Sequence, residues 1–350
     1  MDNTVMGNPG DKPAKKPEKV IIIAEAGVNH NGNLELARQM VRVARECGAD
    51  YVKFQTAVPE LVISEIAPKA EYQKETTGKE QSQLEMCRAI HLPLCDYRGL
   101  ADLCRAQGIG FMSTPFDLVS VDCLAELGMD YWKIPSGEIT NLPYLRKIGA
   151  MGQRVIMSTG MATLDEVEAA VSILEKAGTP RSRIILLHCT TQYPTPYQAV
   201  NLRAMNTLRQ LGCAAVGYSD HTIGIEVSVA AVAMGARVIE KHFTLDRNMP
   251  GPDHRASLDP KQLAELVSAV RNVEQALGDG RKVVAEAERP NIEVARKSIV
   301  AARNIKAGEV FTADNITVKR PGNGISPMLW DSVIGRTAAR DFVADSLIIL

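Results

Sequence analysis

Two lysines interrupt runs of the sequence that are otherwise apolar and aromatic. Lys53 lies in DYVKFQ and Lys133 in DYWKIPS. An ammonium group buried without a partner costs several kcal/mol, so each lysine needs an anionic side chain or ligand beside it. Hydroxyl side chains end comparable runs elsewhere, such as Ser113 and Thr114 in IGFMST and Ser158 in RVIMST. Lysines combined with hydroxyls predict a site for a phosphate or a carboxylate.

Two histidines follow neighbouring runs further along the chain. His221 comes just after AAVGYS, and His242 ends ARVIEKH. Two imidazoles at adjacent strand ends can share a divalent metal, but they could equally hydrogen-bond within a core. The residues alone leave both possibilities open. His254, in GPDH, is expected on a loop, at the surface or against a substrate. Other polar side chains at or just after the ends of such runs are Glu25, Gln55, Ser136, Tyr193, Ser219 and Glu240.

These residues belong to a regular alternation of short β-branched runs and amphipathic stretches. Three- and four-residue apolar spacing predicts helices over Leu34–Cys47, Leu164–Lys176 and Pro260–Leu277. Nearly continuous apolar runs predict parallel strands, and eight strand–helix units predict a (β/α)8 barrel with its active site at the C-terminal strand ends. A doubly wound open sheet is the alternative, weakened because no G-x-G-x-x-G follows the first run. The predicted strands span 20–25, 50–55, 109–114, 130–136, 154–159, 183–189, 214–219 and 236–242.

The chain changes character near residue 282, where turn sequences such as Gly322-Asn323-Gly324 replace helical periodicity. The segment between the second and third strands, 56–108, is too long for one helix and should carry an extra excursion. We therefore expect four parts: a flexible leader (1–19), a catalytic barrel (20–282), a linker (283–295) and a small β-rich domain (296–350).

The overall composition excludes several classes of protein. The 350 residues are 45% hydrophobic and 23% charged, which is typical of a globular chain and not of a collagen-like or disordered one. A count of 40 basic against 41 acidic residues argues against nucleic-acid binding. The first apolar run, from Val20, is too short to span a membrane. Seven cysteines without a C-x-x-C pair indicate a reducing compartment, so we expect a cytoplasmic protein.

Taken in order, the sequence motifs at these strand ends resemble those of the sialic acid synthase family, the bacterial enzymes that make nine-carbon nonulosonic acids. The resemblance runs from residue 20 nearly to the end. It implies a (β/α)8 TIM barrel followed by a small antifreeze-like domain, also called SAF, in a domain-swapped homodimer. The motifs that carry it are IAEAGVNHNGN (23–33), VKFQT (52–56), STPFD (113–117), KIPSGEITNLPYL (133–145), STGMATLDEV (158–167), LHCTTQYPTP (187–196), GYSDHT (217–222), EKHFTLDRNMPGPDHRASLDP (240–260) and VKRPGNGISP (318–327).

The resemblance implies condensation of phosphoenolpyruvate with an N-acetylated mannose-type sugar, which yields N-acetylneuraminate or a relative and inorganic phosphate. It implies a divalent cation, Mn²⁺ or else Mg²⁺ or Co²⁺, held by His221 and His242. Glu25 is implied as an acid/base. In a swapped dimer, Arg320 would enter the partner's site. The implied phosphoenolpyruvate contacts are Lys53, Gln55, Thr114, Lys133, Ser136, Ser158 and Ser219, and the implied sugar contacts are Tyr193, Asp253 and Arg320.

The sugar itself is less closely defined by these motifs. We expect N-acetylmannosamine, with 2,4-diacetamido-2,4,6-trideoxymannose, the substrate of an N,N'-diacetyllegionaminate synthase, as the alternative. GPDHRASLDP argues against the pseudaminate branch. More distant alternatives are a sugar-phosphate-using synthase, which would need further cations, a pyruvate aldolase, and an ice- or carbohydrate-binding protein. No regular threonine array in 296–350 supports the last of these.

Overall fold

The computed structural model describes residues 19–77 and 81–350. The chain forms two compact units that divide between Asp279 and Gly280, and each unit has its own apolar core. Residues 1–18 of the expected leader lie outside the described residues. None of the helices in the described ranges is both long enough and apolar enough to cross a membrane.

Eight parallel strands form the centre of the first unit. Their order in the sheet is β3-β2-β1-β8-β7-β6-β5-β4, and the two end strands, β3 and β4, contact each other. The sheet therefore approaches a closed barrel, as predicted, and the open doubly wound alternative is wrong. The strands are β1 (Ile21–Gly27), β2 (Tyr51–Thr56), β3 (Gly110–Pro115), β4 (Trp132–Ile134), β5 (Val155–Ser158), β6 (Ile184–His188), β7 (Ala215–Asp220) and β8 (Val238–His242).

Helices with well-formed N-terminal caps follow the strands. The Asn33 side chain accepts hydrogen bonds from the backbone N–H groups of Glu35 and Leu36, and Thr163 and Glu166 form a capping box. The helices are α1 (Leu34–Glu46), α2 (Pro59–Val62), α3 (Glu71–Thr77), α4 (Gln83–Ile90), α5 (Asp96–Gln107), α6 (Leu118–Ala125), α7 (Leu142–Ala150), α8 (Leu164–Ala177), α9 (Ala204–Arg209), α10 (Glu226–Ala233) and α11 (Pro260–Ala276). The three predicted helices thus begin at the same residues as α1, α8 and α11, and their last residues differ by one position.

The long connection between β2 and β3 contains four helices, α2 to α5, instead of one. This is the excursion that its length predicts. Of these, α5 occupies the usual place of a crossover helix and buries Leu100 and Cys104 in the core. The preceding part, with α2, α3 and α4, is additional to the barrel.

The second unit is a small β-rich fold, as expected of the SAF domain. Strands β9 (Ser298–Ala301) and β10 (Ile316–Lys319) pair antiparallel, and Ile299, Phe311 and Phe342 belong to their core. The stretch expected as a linker contains the helix α12 (Arg289–Ala295), which begins with Pro290 in its first turn. A further short helix, α13 (Trp330–Val333), follows β10.

Candidate active site

Two layers of side chains fill the inside of the barrel. Side chains alternate between the two faces of a strand, so an interior residue is followed two positions later by another interior residue. On β5, Ile156 is followed by Ser158, and on β8, Val238 is followed by Glu240. The lower layer is apolar and the upper layer, at the C-terminal mouth, is polar. The lower layer contains Ile23, Met112, Tyr131, Ile156, Leu187 and Val238, and the residues two positions later are Glu25, Thr114, Lys133, Ser158, Cys189 and Glu240. Lys53 of β2 and Ser219 of β7 complete this upper, polar layer.

Glu240 lies between the two buried lysines of the upper layer. Its carboxylate oxygens are 3.7 Å from Nζ of Lys53 and 3.6 Å from Nζ of Lys133, and it accepts a hydrogen bond from the Ser219 hydroxyl at 2.9 Å. Lys133 also donates to Ser158 Oγ at 2.7 Å. Burial alone would raise the pKa of Glu240, but Lys133, Lys53 and the Ser219 hydroxyl together lower it. Glu240 is therefore an ionised partner of both lysines.

Glu25 is the second carboxylate beside Lys53. The two form a short ion pair, and Lys53 also donates to Thr114 Oγ1 at 2.9 Å. The Gln55 amide donates to Glu25 Oε1 at 3.2 Å. Burial raises the pKa of Glu25 above its ordinary value, and Lys53 offsets this only in part. A carboxyl group with a raised pKa is suited to exchange a proton during a reaction near neutral pH.

Ser136 is held in a tight corner of the same mouth. Its hydroxyl accepts a hydrogen bond from the Gly160 backbone N–H at 3.0 Å and lies 3.2 Å from Sγ of Cys189. A Cβ atom at position 160 would come within 2.9 Å of Ser136 Oγ and 2.7 Å of Thr191. The corner therefore leaves room for glycine alone, and this close approach fixes the Ser136 hydroxyl, for which the family resemblance implies contact with phosphoenolpyruvate.

The two predicted metal-binding histidines are neighbours, with ring centroids 5.6 Å apart. The Tyr193 ring packs on His221 at 4.2 Å, and Nδ1 of His221 lies 2.7 Å from the Thr190 carbonyl oxygen. That oxygen can only accept, so Nδ1 of His221 carries the proton and Nε2 is left with its lone pair. Nδ1 of His242 is buried without a hydrogen-bond partner in the described structure, and the nearest carboxylate oxygen, of Asp253, is 4.0 Å away.

The donor set around the histidines fits a divalent metal with open coordination positions. Burial lowers the pKa of both His221 and His242, so both imidazoles are neutral and can donate lone pairs. Within residues 19–77 and 81–350, no three His, Cys, Asp or Glu side chains are grouped closely enough to hold a metal by themselves. The remaining ligands would come from substrate and water, as in catalytic sites. The metal stays a prediction.

A buried ion pair lies behind the histidines, on the outer face of β7 and β8. Lys241 Nζ is 2.9 Å from Asp220 Oδ2 and donates to the Thr222 carbonyl at 2.8 Å. Asp220 also accepts from the Thr222 backbone N–H and from the Ser228 hydroxyl. Because Asp220 adjoins His221 and Lys241 adjoins His242, this network fixes the two strand ends that carry the imidazoles.

An apolar wall completes the site. It is contributed by the excursion between β2 and β3 and by the residue after β3, namely Val62, Ile63, Met86, Ile90 and Phe116. The wall and the polar layer enclose a cavity of about 360 Å³, which is within the usual range for small-molecule sites.

All but one of the predicted site residues line this one cavity. Arg320 is the exception: it is exposed in the second unit, and its Nε donates to the Ala295 carbonyl at 3.2 Å. The roles assigned to these residues stay predictions. The lining residues among them are Glu25, Lys53, Gln55, Thr114, Lys133, Ser136, Ser158, Tyr193, Ser219, His221, His242 and Asp253.

Sequence reasoning missed two features of the site and misplaced one residue. It placed Glu240 at a strand end but gave it no role. Glu240 lies two positions after Val238, and this spacing indicates that both side chains face the barrel interior. It did not anticipate the apolar wall, whose residues are scattered over 62–116. The expected surface position of His254 is wrong, because the ring is buried and its Nδ1 is 2.7 Å from the Thr244 hydroxyl.

Two family models match the chain. The model for the NeuB family matches residues 40–282, and the model for the SAF domain matches residues 296–348. The chain belongs to the NeuB family. The resemblance found in the sequence motifs is thereby confirmed, as are the enzyme class and the barrel-plus-SAF architecture.

Relatives of this NeuB-family chain match over nearly their whole lengths. It is 51% identical to the N,N'-diacetyllegionaminic acid synthase of Campylobacter jejuni, over 95% of this chain and 99% of that protein. It is 43% identical to the enzyme of the same name from Legionella pneumophila, over 97% and 96%. The solved structure of N-acetylneuraminic acid synthetase from Leptospira borgpetersenii is similar with a TM-score of 0.68 and 35% identity, over 79% of this chain and 91% of that one.

The buried ion pair behind the histidines gives a test of how this NeuB-family barrel is stabilised. Lys241→Met leaves Asp220 as an unpaired buried charge, so we expect the free energy of unfolding of the barrel in urea to fall by about 3–5 kcal/mol. Lys241→Met combined with Asp220→Asn should recover part of this loss, because the amide is uncharged, its oxygen can still accept from Thr222 and its NH₂ group can donate to the Ser228 hydroxyl. The control is Lys261→Met at the exposed pair with Glu265, where we expect a change of about 1 kcal/mol or less. Equal losses of unfolding free energy at the two pairs would contradict the stabilising role assigned to the buried pair.

Proposed function

We propose that the enzyme joins phosphoenolpyruvate to 2,4-diacetamido-2,4,6-trideoxymannose and releases N,N'-diacetyllegionaminate and phosphate. The choice of this sugar rests on one observation, which is that an apolar wall faces the polar layer across the cavity. This sugar presents three methyl groups, on two acetamido groups and at C6, whereas N-acetylmannosamine presents one. The names of the two relatives at 51% and 43% identity support the same choice. N-acetylmannosamine, the sugar expected first from the sequence, is the second candidate, favoured by the likeness to the Leptospira synthetase.

The cations of the cavity suit one phosphorylated substrate and not two. Lys53 and Lys133 are the only lysine or arginine side chains among its described lining residues. Both lie in the polar layer with the hydroxyls of Thr114, Ser158 and Ser219, a set suited to the phosphate and carboxylate of phosphoenolpyruvate. A sugar phosphate would need further cations, so we infer an unphosphorylated sugar.

Charge balance supports a divalent metal, Mn²⁺ or else Mg²⁺ or Co²⁺, at His221 and His242. The two lysines already face two carboxylates, Glu25 and Glu240, so little net positive charge is left for a substrate that carries both a carboxylate and a phosphate. A divalent cation supplies that charge and, when bound, acts as a Lewis acid on the aldehyde oxygen of the open-chain sugar.

In the proposed reaction one C–C bond forms and one C–O bond breaks. C3 of the enol phosphate attacks the aldehyde carbon, the aldehyde oxygen takes up a proton, and positive charge develops at C2. Water adds at C2 and loses one proton. The bond from C2 to the phosphate oxygen then breaks while the new C2 hydroxyl gives its remaining proton to the departing phosphate, which leaves a ketone at C2 and free inorganic phosphate. Lys133 and Ser158 hold the enol phosphate so that one face of C3 meets the aldehyde. Glu25 receives the proton of the attacking water, for which its raised pKa suits it.

We also propose a domain-swapped homodimer in a reducing, cytoplasmic compartment. The exposed position of Arg320 in the second unit leaves its side chain accessible to another surface. All seven cysteines are free thiols, which supports a reducing environment.

Phosphate release with each sugar tests the substrate assignment. We expect kcat/KM for the diacetamido-trideoxy sugar to exceed that for N-acetylmannosamine by about 10-fold or more, since a methyl contact in an apolar pocket contributes about 1–3 kcal/mol. Ile63→Thr should narrow this ratio by making the wall more polar. A higher kcat/KM for N-acetylmannosamine would select the second candidate, and phosphate release with neither sugar would overturn the proposed function.

Glu25→Gln tests the assigned proton transfer. The amide keeps the size of the side chain but cannot accept a proton, so we expect kcat to fall about 10²-fold or more. Calorimetry should still detect phosphoenolpyruvate binding, because Lys53 keeps Glu240 as a partner. Lost binding in this variant would instead make Glu25 a binding or structural residue.

Direct metal binding tests the histidine pair. We expect Mn²⁺ titrated into the chelator-treated protein to bind at one site per chain, and His221→Ala or His242→Ala to weaken that binding about 10-fold or more. His188→Ala is the matched control, because His188 contacts the Val200 carbonyl and does not line the cavity. Phosphate release should stop in excess chelator and return with Mn²⁺. Unchanged turnover in chelator would contradict the metal assignment.

A further inference from the structure

The helix α4 turns one face toward the active-site cavity, and that face begins with an amide group. Gln83, Met86, Cys87 and Ile90 all line the cavity. They occupy positions i, i+3, i+4 and i+7 of α4, so their side chains form one stripe along the helix. Met86, Cys87 and Ile90 are apolar, and two of them belong to the apolar wall. Gln83 therefore places a polar amide at one end of an apolar stripe.

Contacts at both ends of α4 fix the direction of this stripe. At the N-terminal end, Ser82 and Glu85 form a capping box. At the C-terminal end, the Gly32 backbone N–H donates to the Ile90 carbonyl at 3.1 Å. Gly32 has a positive φ of 69°, and a Cβ atom there would come within 2.6 Å of the Ala89 carbonyl oxygen. The loop after β1 therefore packs closely on the end of α4 and holds the helix beside the cavity.

The side-chain oxygen of Gln83 lacks a hydrogen-bond partner. Oε1 of Gln83 is buried, and no group in the described ranges donates to it. A buried carbonyl oxygen is normally paired, because leaving it unpaired is costly. Gln55, another amide at this mouth, is paired and donates to Glu25 at 3.2 Å. The acceptor of Gln83 is thus available to a ligand in the cavity.

The donor that this oxygen requires is expected on the sugar. Phosphoenolpyruvate presents an ionised carboxylate and a phosphate, whose oxygens accept hydrogen bonds. The sugar, by contrast, carries hydroxyl and amide groups that donate. Gln83 therefore faces the substrate that brings the donors.

The reacting end of the sugar determines which of its groups reach α4. The aldehyde carbon C1 must meet phosphoenolpyruvate at the polar layer, and the acetamido group on C2 is next to it. The groups on C4 and C6 are farther along the carbon chain and reach the apolar wall. Burial raises the pKa of the Cys87 thiol to about 11, and the Asp253 carboxylate contributes to this rise. Because Asp253 is also 4.0 Å from His242, the stripe lies on the histidine side of the cavity.

We propose that Oε1 of Gln83 accepts a hydrogen bond from the N–H of the acetamido group on C4 and so determines the specificity for the sugar. An acetamido group combines an N–H donor with a methyl group, and the stripe combines an acceptor with apolar side chains. The methyl group packs against Met86 and Ile90, which directs the N–H toward Gln83. This proposal rests on the proposed function, since it names the residue that selects the 4-acetamido group of the proposed sugar.

Phosphate release with two sugars that differ only at C4 tests this contact. The first is 2,4-diacetamido-2,4,6-trideoxymannose, and the second is 2-acetamido-2,4,6-trideoxymannose, which has hydrogen in place of the 4-acetamido group. Gln83→Met removes the acceptor and keeps the length of the side chain. We expect it to lower kcat/KM about 10-fold with the first sugar, mainly through KM, and less than about 2-fold with the second. KM for phosphoenolpyruvate should stay unchanged.

A second glutamine of the same segment provides the matched control. Gln81 lies just before α4 and is not among the described residues that line the cavity, so Gln81→Met should leave kcat/KM unchanged with both sugars. The Tm of Gln83→Met should match that of the parent chain. A Tm lowered by several degrees, with losses on both sugars, would make Gln83 a structural residue and overturn the proposal.

The same measurements separate this proposal from the proposed function. If the parent chain prefers the diacetamido sugar but Gln83→Met changes kcat/KM equally for both sugars, or for neither, the contact with C4 is wrong and the proposed function stands. If the parent chain has a higher kcat/KM for N-acetylmannosamine, the proposed sugar is wrong and the contact with its 4-acetamido group is overturned with it.

Discussion

The burial of four charged groups in one layer of the barrel is the constraint on which the rest of the structure depends. Lys53, Lys133, Glu25 and Glu240 are each no more than 5% exposed. Each charge would be costly alone, and a pair is tolerated only when geometry and hydrogen bonds are good. A sheet that closes on itself supplies that geometry, since it brings β1, β2, β4 and β8 to the same interior.

Strand register keeps the reactive side chains separate from the side chains that support them. On β8, Glu240 and His242 face the cavity while Lys241, between them, pairs with Asp220 on the outer face. Glu25 lies opposite His242, and Asp220 lies opposite Lys241. A shift of one residue would exchange the two faces and put an ammonium group where an imidazole is needed. The outer network therefore stabilises the register as well as the fold.

Much of this arrangement could be predicted from the sequence because it depends on local pattern. A lysine within an apolar run, such as Lys53, indicates a buried charge, and parallel strands bring their C-terminal ends to one mouth. What could not be predicted depends on contacts between distant segments. Glu240 can pair with both lysines only because β8 lies across the barrel from Lys133. His254 can be buried only because the Thr244 hydroxyl lies beside its ring. The spacing of residues along the sequence indicates neither of these two contacts. The apolar wall is hidden for the same reason, since no periodicity links Val62 to Phe116.

The alternation that builds the active site also separates the two mouths. Along β5 the chain passes from Arg154 through Ile156 to Ser158, and along β8 from Arg237 through Val238 to Glu240. Strands β5 and β8 thus each run from an arginine through the apolar layer to the polar layer. Interiors of this kind are closely packed, and the apolar layer lies between the polar layer and the N-terminal strand ends. It also sets the lysines of the polar layer apart from the arginines at the N-terminal strand ends, so Glu25 and Glu240 have Lys53 and Lys133 as their cationic partners.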